Sequence, residues 1–110
     1  MKQREIWLVD LNPVKGSKQK GFRPVVIVSG NAMNDNLPIC IVCPLSSKIK
    51  GYKGCLVLKK DDVNGLDSDS EVITFQIRTV SSERLIRKIG TITNKQMEII
   101  RSGLNDILTY

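Results

Sequence analysis

Residues 13–29 read PVKGSKQKGFRPVVIVS, and the rest of the chain is organised around this stretch. Its two halves differ in character. Lys15–Gly21 is a glycine-bracketed polar loop carrying Lys15, Ser17, Lys18, Gln19 and Lys20. Pro24–Ser29 is a short, valine-rich run of strand length. Arg23 stands at the joint, where a core element holds its backbone while the guanidinium stays open to a ligand. The same spacing also suits a plain basic loop ahead of a core strand.

Upstream, Glu5–Leu11 (EIWLVDL) alternates loosely and reads as the first strand, broken by Asn12-Pro13. Arg23–Ser29 is the second. Gly30–Pro38 is turn chemistry throughout, with glycine, three asparagines, Asp35 and Pro38. Ile39–Leu45 forms a third strand, Ser46–Gly54 a basic loop and Cys55–Lys59 a fourth strand. Lys60–Ser70 is polar and turn-rich, with room for one helical turn. Glu71–Val80 alternates as a fifth strand, and Arg84–Ile89 is a short sixth element.

Thr93-Asn94-Lys95-Gln96 has the form of a capping box. Beyond it, Met97, Ile100, Leu104, Ile107 and Leu108 recur at helical spacing, which predicts a C-terminal amphipathic helix of about four turns. Gly103 weakens that helix by about 1 kcal/mol relative to alanine but permits a close approach. No crossover helices separate the strands, so an open parallel sheet is excluded. The expected fold is mainly β: a small antiparallel barrel with the helix over one opening or edge, a single domain spanning residues 1–110.

No apolar run approaches the roughly 20 residues of a membrane span. The N-terminal MKQREIWLVDL lacks a signal-peptide apolar region, so the expected compartment is the cytoplasm, with no membrane partner. The three cysteines give no metal framework. Cys40 and Cys43 have CxxC spacing, but on a strand positions three apart face opposite sides. With no histidine in the chain, buried thiols acting as small hydrophobes are the better reading, and neither metal nor cofactor is expected. Charge is uneven. Residues 1–60 carry eleven basic and three acidic side chains, and residues 61–110 carry six and eight. A basic half suits a polyanion, most often nucleic acid, as well as simple solubility.

The lack of histidine also excludes Ser-His-Asp and Cys-His machinery. GSKQKG has neither the Lys-Ser/Thr ending nor the following helix of a P-loop. Polar groups remain at strand ends: Arg23, then Ser46 and Ser47, then Gln76 and Arg78, two apart and so on one face of the fifth strand. If these ends meet, they suit phosphodiester chemistry on RNA, whose 2′-hydroxyl is a built-in nucleophile. Each also has a structural reading: Arg23 paired with Asp10, Ser46-Ser47 as a turn, Gln76 facing solvent, Arg78 paired with Glu71 or Glu83.

KGSKQKGFRPVVIVS resembles the signature of the MazF/PemK (Kid) toxins, roughly Gly-Ser-Glu-Gln, a short spacer, then Arg-Pro-Val and a hydrophobic strand. EIWLVDLNPVKG is similar to that family's first strand, PLSSKIKGY to its hydroxyl-bearing loop, and FQIRTVSSERL to its Gln-Ile-Arg-Thr strand and following Arg-Leu. Thr93–Tyr110 falls where the family has its last helix. The resemblance implies an SH3-like barrel of the CcdB/Kid type and a homodimer. It also implies a metal-independent toxin endoribonuclease that cuts single-stranded RNA, including mRNA, at short sequences and leaves a cyclic phosphate. Arg23 matches the catalytic arginine and Ser46 the catalytic hydroxyl, usually threonine. Ser17, Gln19 and Gln76 match RNA-binding residues, and Arg78 matches the strand-five arginine. Lys18, Lys20 and Ser47 join them as expected RNA contacts. The implied partner is a cognate antitoxin, and a groove this basic calls for one with an acidic, partly disordered segment.

Two departures stand out. Lys18 occupies the usual glutamate position, which removes a carboxylate and adds phosphate affinity. RTVSS also lacks the acidic residue that often follows Arg-Thr-Ile. Two other readings remain: a CcdB-like toxin that binds a protein such as gyrase without cutting RNA, and a basic barrel that binds nucleic acid without catalysis.

Overall fold

The computed structural model describes residues 1–13 and 21–110. Its strands are β1 (Glu5–Asp10), β2 (Phe22–Ile27), β3 (Ile39–Ser46), β4 (Leu56–Leu58), β5 (Ser70–Val72), β6 (Arg78–Ser81) and β7 (Leu85–Thr91), with helices α1 (Asn31–Asn36) and α2 (Asn94–Thr109). All pairings are antiparallel, in the order β4-β5-β3-β2-β1-β7, with β6 also on β3. The sheet curls into a half-barrel, as the strand pattern predicts. Its ends approach where Thr91 N–H donates to the Val63 carbonyl at 3.0 Å. Gly90 permits that approach: a Cβ there would lie 2.5 Å from the Val63 oxygen.

Alternation along β3 sorts its side chains into two cores. Cys43 and Leu45 join Ile6, Val26, Leu58, Val72 and Ile92 in the core that Met97 and Ile100 of α2 cover. Cys40 and Val42 join Val9, Val25, Ile27 and Val80 in the second. The two CxxC sulfurs therefore serve opposite cores as small apolar groups. Burial, aided by the neighbouring Cys55, pushes the Cys43 thiol up to about 12. α2 starts with the full capping box, Thr93 Oγ1 accepting from Gln96 N–H at 3.1 Å and Gln96 Oε1 from Thr93 N–H at 2.9 Å. Gly103 seats the helix on the Gly54 carbonyl, 2.1 Å from where a Cβ would stand.

Two segments differ from the sequence expectation. Gly30–Pro38, read as turn, contains α1. Side-chain hydrogen bonds override the turn preference of its asparagines: Asn34 bonds both the Ser29 hydroxyl and the Ser29 carbonyl, the latter at 2.9 Å, and Asn31 Oδ1 accepts from the distant Gln3 N–H at 2.7 Å. The expected fifth strand is interrupted. β5 ends at Val72, Thr74–Gln76 is a 3-10 turn, and β6 begins at Arg78. Both halves pair with the same edge of β3, β6 along Ile39–Val42 and β5 along Leu45–Ser46. The turn takes up the two β3 residues between.

Candidate active site

The site is built where β2 and β3 part. Their ladder runs Ile27↔Val42, Val26↔Cys43, Val25↔Pro44 and stops. The next residue of β2 is Pro24, which has no N–H to give. Continuing the register by two residues sets Arg23 opposite Ser46, on strands no longer hydrogen-bonded to each other. By alternation, Arg23 continues the face of Val25 and Ile27, and Ser46 that of Val42 and Pro44. The two polar groups thus extend one face of the second core past its proline rim.

An open cleft of about 850 Å³ occupies this gap, and Arg23, Ser46, Ser47, Gln76 and Arg78 all line it. Gln76 and Arg78 do not share a strand face as expected. Gln76 ends the 3-10 turn and Arg78 opens β6 opposite Val42, yet both still reach the cleft. Ser17, Lys18, Gln19 and Lys20, with the rest of the Lys15–Gly21 loop up to Lys20, lie outside the described residues.

The alternative pairings do not form. Asp10 faces Arg84 at 3.9 Å rather than Arg23, and its Oδ1 accepts from the Asn12 backbone and side chain at 2.9 and 2.8 Å. Arg84 Nη1 donates to the Asn12 carbonyl at 2.6 Å, bracing the chain just before the Lys15–Gly21 loop. Glu71 is engaged with backbone N–H groups of residues 50–52, not with Arg78. Among the described residues no carboxylate forms an ion pair with Arg23 or Arg78.

Among the described residues, three further charged side chains line the cleft. Lys48 follows Ser47, Arg87 reaches in from β7, and Asp67 comes from the segment after β4. Arg87 had a signal in the sequence, since it stands two residues before Ile89 and so shares its strand face, and both line the cleft. Asp67 had none, because a loop's tertiary position leaves no periodic trace. The Ser46 hydroxyl is oriented locally: Lys48 N–H donates to its Oγ at 3.1 Å, and that Oγ lies 3.4 Å from the Lys48 carbonyl. From the described residues the cleft therefore presents four cations against one carboxylate, with four serines and an amide, around an open space, a set whose net positive charge suits a phosphodiester backbone. Among the described residues, no three His, Cys, Asp or Glu side chains cluster as metal ligands.

The family described as the PemK-like, MazF-like toxin of type II toxin-antitoxin systems matches residues 2–108. The chain belongs to this family. Two relatives agree with that assignment. Endoribonuclease MazF of Staphylococcus saprophyticus is 33% identical over 107 residues, covering 96% of this chain and 88% of that protein. Endoribonuclease MazF9 of Mycobacterium tuberculosis is 33% identical over 109 residues, covering 94% and 92%. The fold recurs in the toxin MazF-mt6 of M. tuberculosis, with a TM-score of 0.80 at 22% identity over 96% of each chain. It recurs again in MazF of Deinococcus radiodurans, with a TM-score of 0.79 at 20% identity over 100% of this chain and 97% of that one. A mycobacterial endoribonuclease solved in complex with its cognate antitoxin also shares the fold, with a TM-score of 0.80 at 20% identity over 98% and 94%.

Proposed function

We propose that this family member is a toxin endoribonuclease that cuts single-stranded RNA, mRNA included, at short specific sequences without a metal ion. The observation that carries the reading is the convergence of Arg23, Ser46, Gln76 and Arg78 on one open cleft. The 2′-oxygen attacks phosphorus as its proton departs. The P–O5′ bond breaks, the 5′-oxygen takes up a proton, and a 2′,3′-cyclic phosphate remains. Negative charge grows on the phosphoryl oxygens along this path, so oriented cationic donors stabilise the transition state more than the bound substrate. Arg23 supplies the bidentate fork and Ser46 a hydroxyl against the same phosphate. Gln76, Arg78, Ser47 and the loop residues Ser17, Lys18, Gln19 and Lys20 hold the flanking nucleotides.

Several features of the working assembly belong to the same proposal. The chain acts as one domain in the cytoplasm, and among the described residues no helix is long and apolar enough to cross a membrane. A homodimer joins two clefts into a groove long enough for several nucleotides. Exposed Phe75 and Ile77, beside Gln76, offer apolar surface for that contact. A cognate antitoxin with an acidic, partly disordered segment blocks the cationic cleft, consistent with the antitoxin complex of the mycobacterial relative.

The test is incubation of purified protein with single-stranded RNA in EDTA. Cleavage at recurrent short sequences, with cyclic phosphate at the new 3′ ends, is the expected result. Binding without cutting points to a passive nucleic-acid-binding barrel. Neither binding nor cutting points to a toxin that acts on a protein.

A further inference from the structure

Glu71 is fully buried, with no exposed surface, yet the chemistry above does not use it. Its carboxylate accepts three consecutive backbone N–H groups: Lys50 at 2.8 Å and Gly51 at 3.2 Å on Oε1, and Tyr52 at 2.8 Å on Oε2. Gly51 sits at φ +69°. Successive N–H groups turned inward around a left-handed residue form an anion nest. Here the anion is a side chain of the protein itself.

The nest lies beside the cleft. Glu71 is the direct partner of Ser46 in the β3–β5 ladder. The loop it grips begins at Ser47, and the Lys48 N–H of that loop orients the Ser46 hydroxyl. On the far side, the Tyr52 ring meets Phe75 edge-on at 5.0 Å, and Phe75 precedes Gln76 in the 3-10 turn. One buried carboxylate thus links the hydroxyl, the Lys48 backbone and the Gln76 turn. An uncompensated buried charge is costly, and removing any of its donors is felt.

We infer that Glu71 is a positioning residue for RNA cleavage: it fills the Lys50–Tyr52 nest and so holds Ser46, Lys48 and Gln76 in working register. The inference rests on the proposed endoribonuclease reading. Glu71 touches no substrate and contributes through the bound-state rate, because small displacements of a catalytic group are expensive in rate. Binding changes less, since Arg23, Arg78 and Arg87 stand on other strands.

Two variants test this. Glu71→Gln keeps the volume but turns an NH2 group toward an N–H donor. Gly51→Ala leaves the carboxylate alone and strains the nest through its φ, with nothing within 4 Å of the new Cβ. Amide hydrogen exchange, which needs no nuclease activity, reads the nest directly. Faster exchange at residues 50–52 with an unchanged β1–β2 core is expected in both. Single-turnover cleavage of saturating RNA should fall by between about ten- and a hundredfold, while the Kd for uncleavable RNA moves less than about threefold. If both folded variants open the nest yet cleave bound RNA at the wild-type rate, Glu71 is not a positioning residue. If the wild-type chain cuts no RNA, the reading of the cleft fails first and the positioning role goes with it.

Discussion

Replacing Arg23 by lysine separates charge from geometry in the lining of the cleft. Arg23 is exposed, lies two residues past the last β2–β3 pair, and forms no ion pair with a described carboxylate. Folding stability should therefore move by less than about 0.5 kcal/mol. The cleft keeps Lys48, Arg78 and Arg87, and lysine keeps the positive charge at position 23, so RNA affinity should stay within about threefold. The planar fork is lost. Removing one donor oriented toward developing charge costs about 3 kcal/mol of barrier. At about 1.4 kcal/mol per decade, that is a hundredfold or more in rate. The assay is single-turnover cleavage of labelled single-stranded RNA with protein in excess, beside binding to the same RNA carrying a 2′-deoxy sugar at the cut. A bound-state rate within about threefold of wild type would falsify the assignment. Arg23 would then be a phosphate anchor, and the charge stabilisation would pass to Arg78 or Ser46. Ser46→Ala should show the same pattern more mildly.

Further predictions concern charge, packing and acid stability. Four cations among the described residues line the cleft, so with about four phosphates neutralised, log affinity should fall against log salt with a slope near −3, at about −0.7 per phosphate; a flat plot in a salt titration contradicts the groove. Gly103→Ala forces a methyl onto the Gly54 backbone oxygen and should lower stability by about 1–3 kcal/mol in urea melts, whereas an unchanged midpoint means the loop yields freely. Burial pushes the Glu5 carboxyl up, but hydrogen bonds from Trp7 and the Lys2 backbone, with Lys88 beside it, outweigh this and hold it below its ordinary 4.5. Its contribution is present above that value and lost as pH falls through the lowered one. The stability gap between wild type and Glu5→Gln should therefore close on acidification below about pH 4.5, and a gap that persists there rejects the linkage. With the Cys43 thiol raised to about 12 and buried, alkylation at pH 8 should modify the half-buried Cys55 first, as peptide mapping would reveal.

Much of this protein was legible before any coordinates. Alternation found the strands that carry the core, because one buried face imposes a period of two. The capping box and the Met97–Leu108 spacing found α2, because both signals are local. Arg23, Ser46, Gln76 and Arg78 were recognisable as polar groups at strand ends, and the motif around Arg23-Pro24 pointed to the family. What the residues could not reveal is how those ends meet. The stop of the β2–β3 ladder at Val25↔Pro44, which sets Arg23 across from Ser46, depends on register between strands. So does the break of Glu71–Val80 into two strands on one edge of β3, a segment whose own alternation runs unbroken. α1 escaped because its asparagines favour turns locally, and the distant Gln3 N–H, which bonds Asn31, joins the local Ser29 bonds in holding the helix. Glu71 read as a strand-end charge, and only the folded loop supplies the three N–H groups that occupy it. Local periodicity and capping are written in neighbouring residues. Register, loop approach and the partners of a buried charge depend on residues distant in the chain, and only the folded structure brings those together.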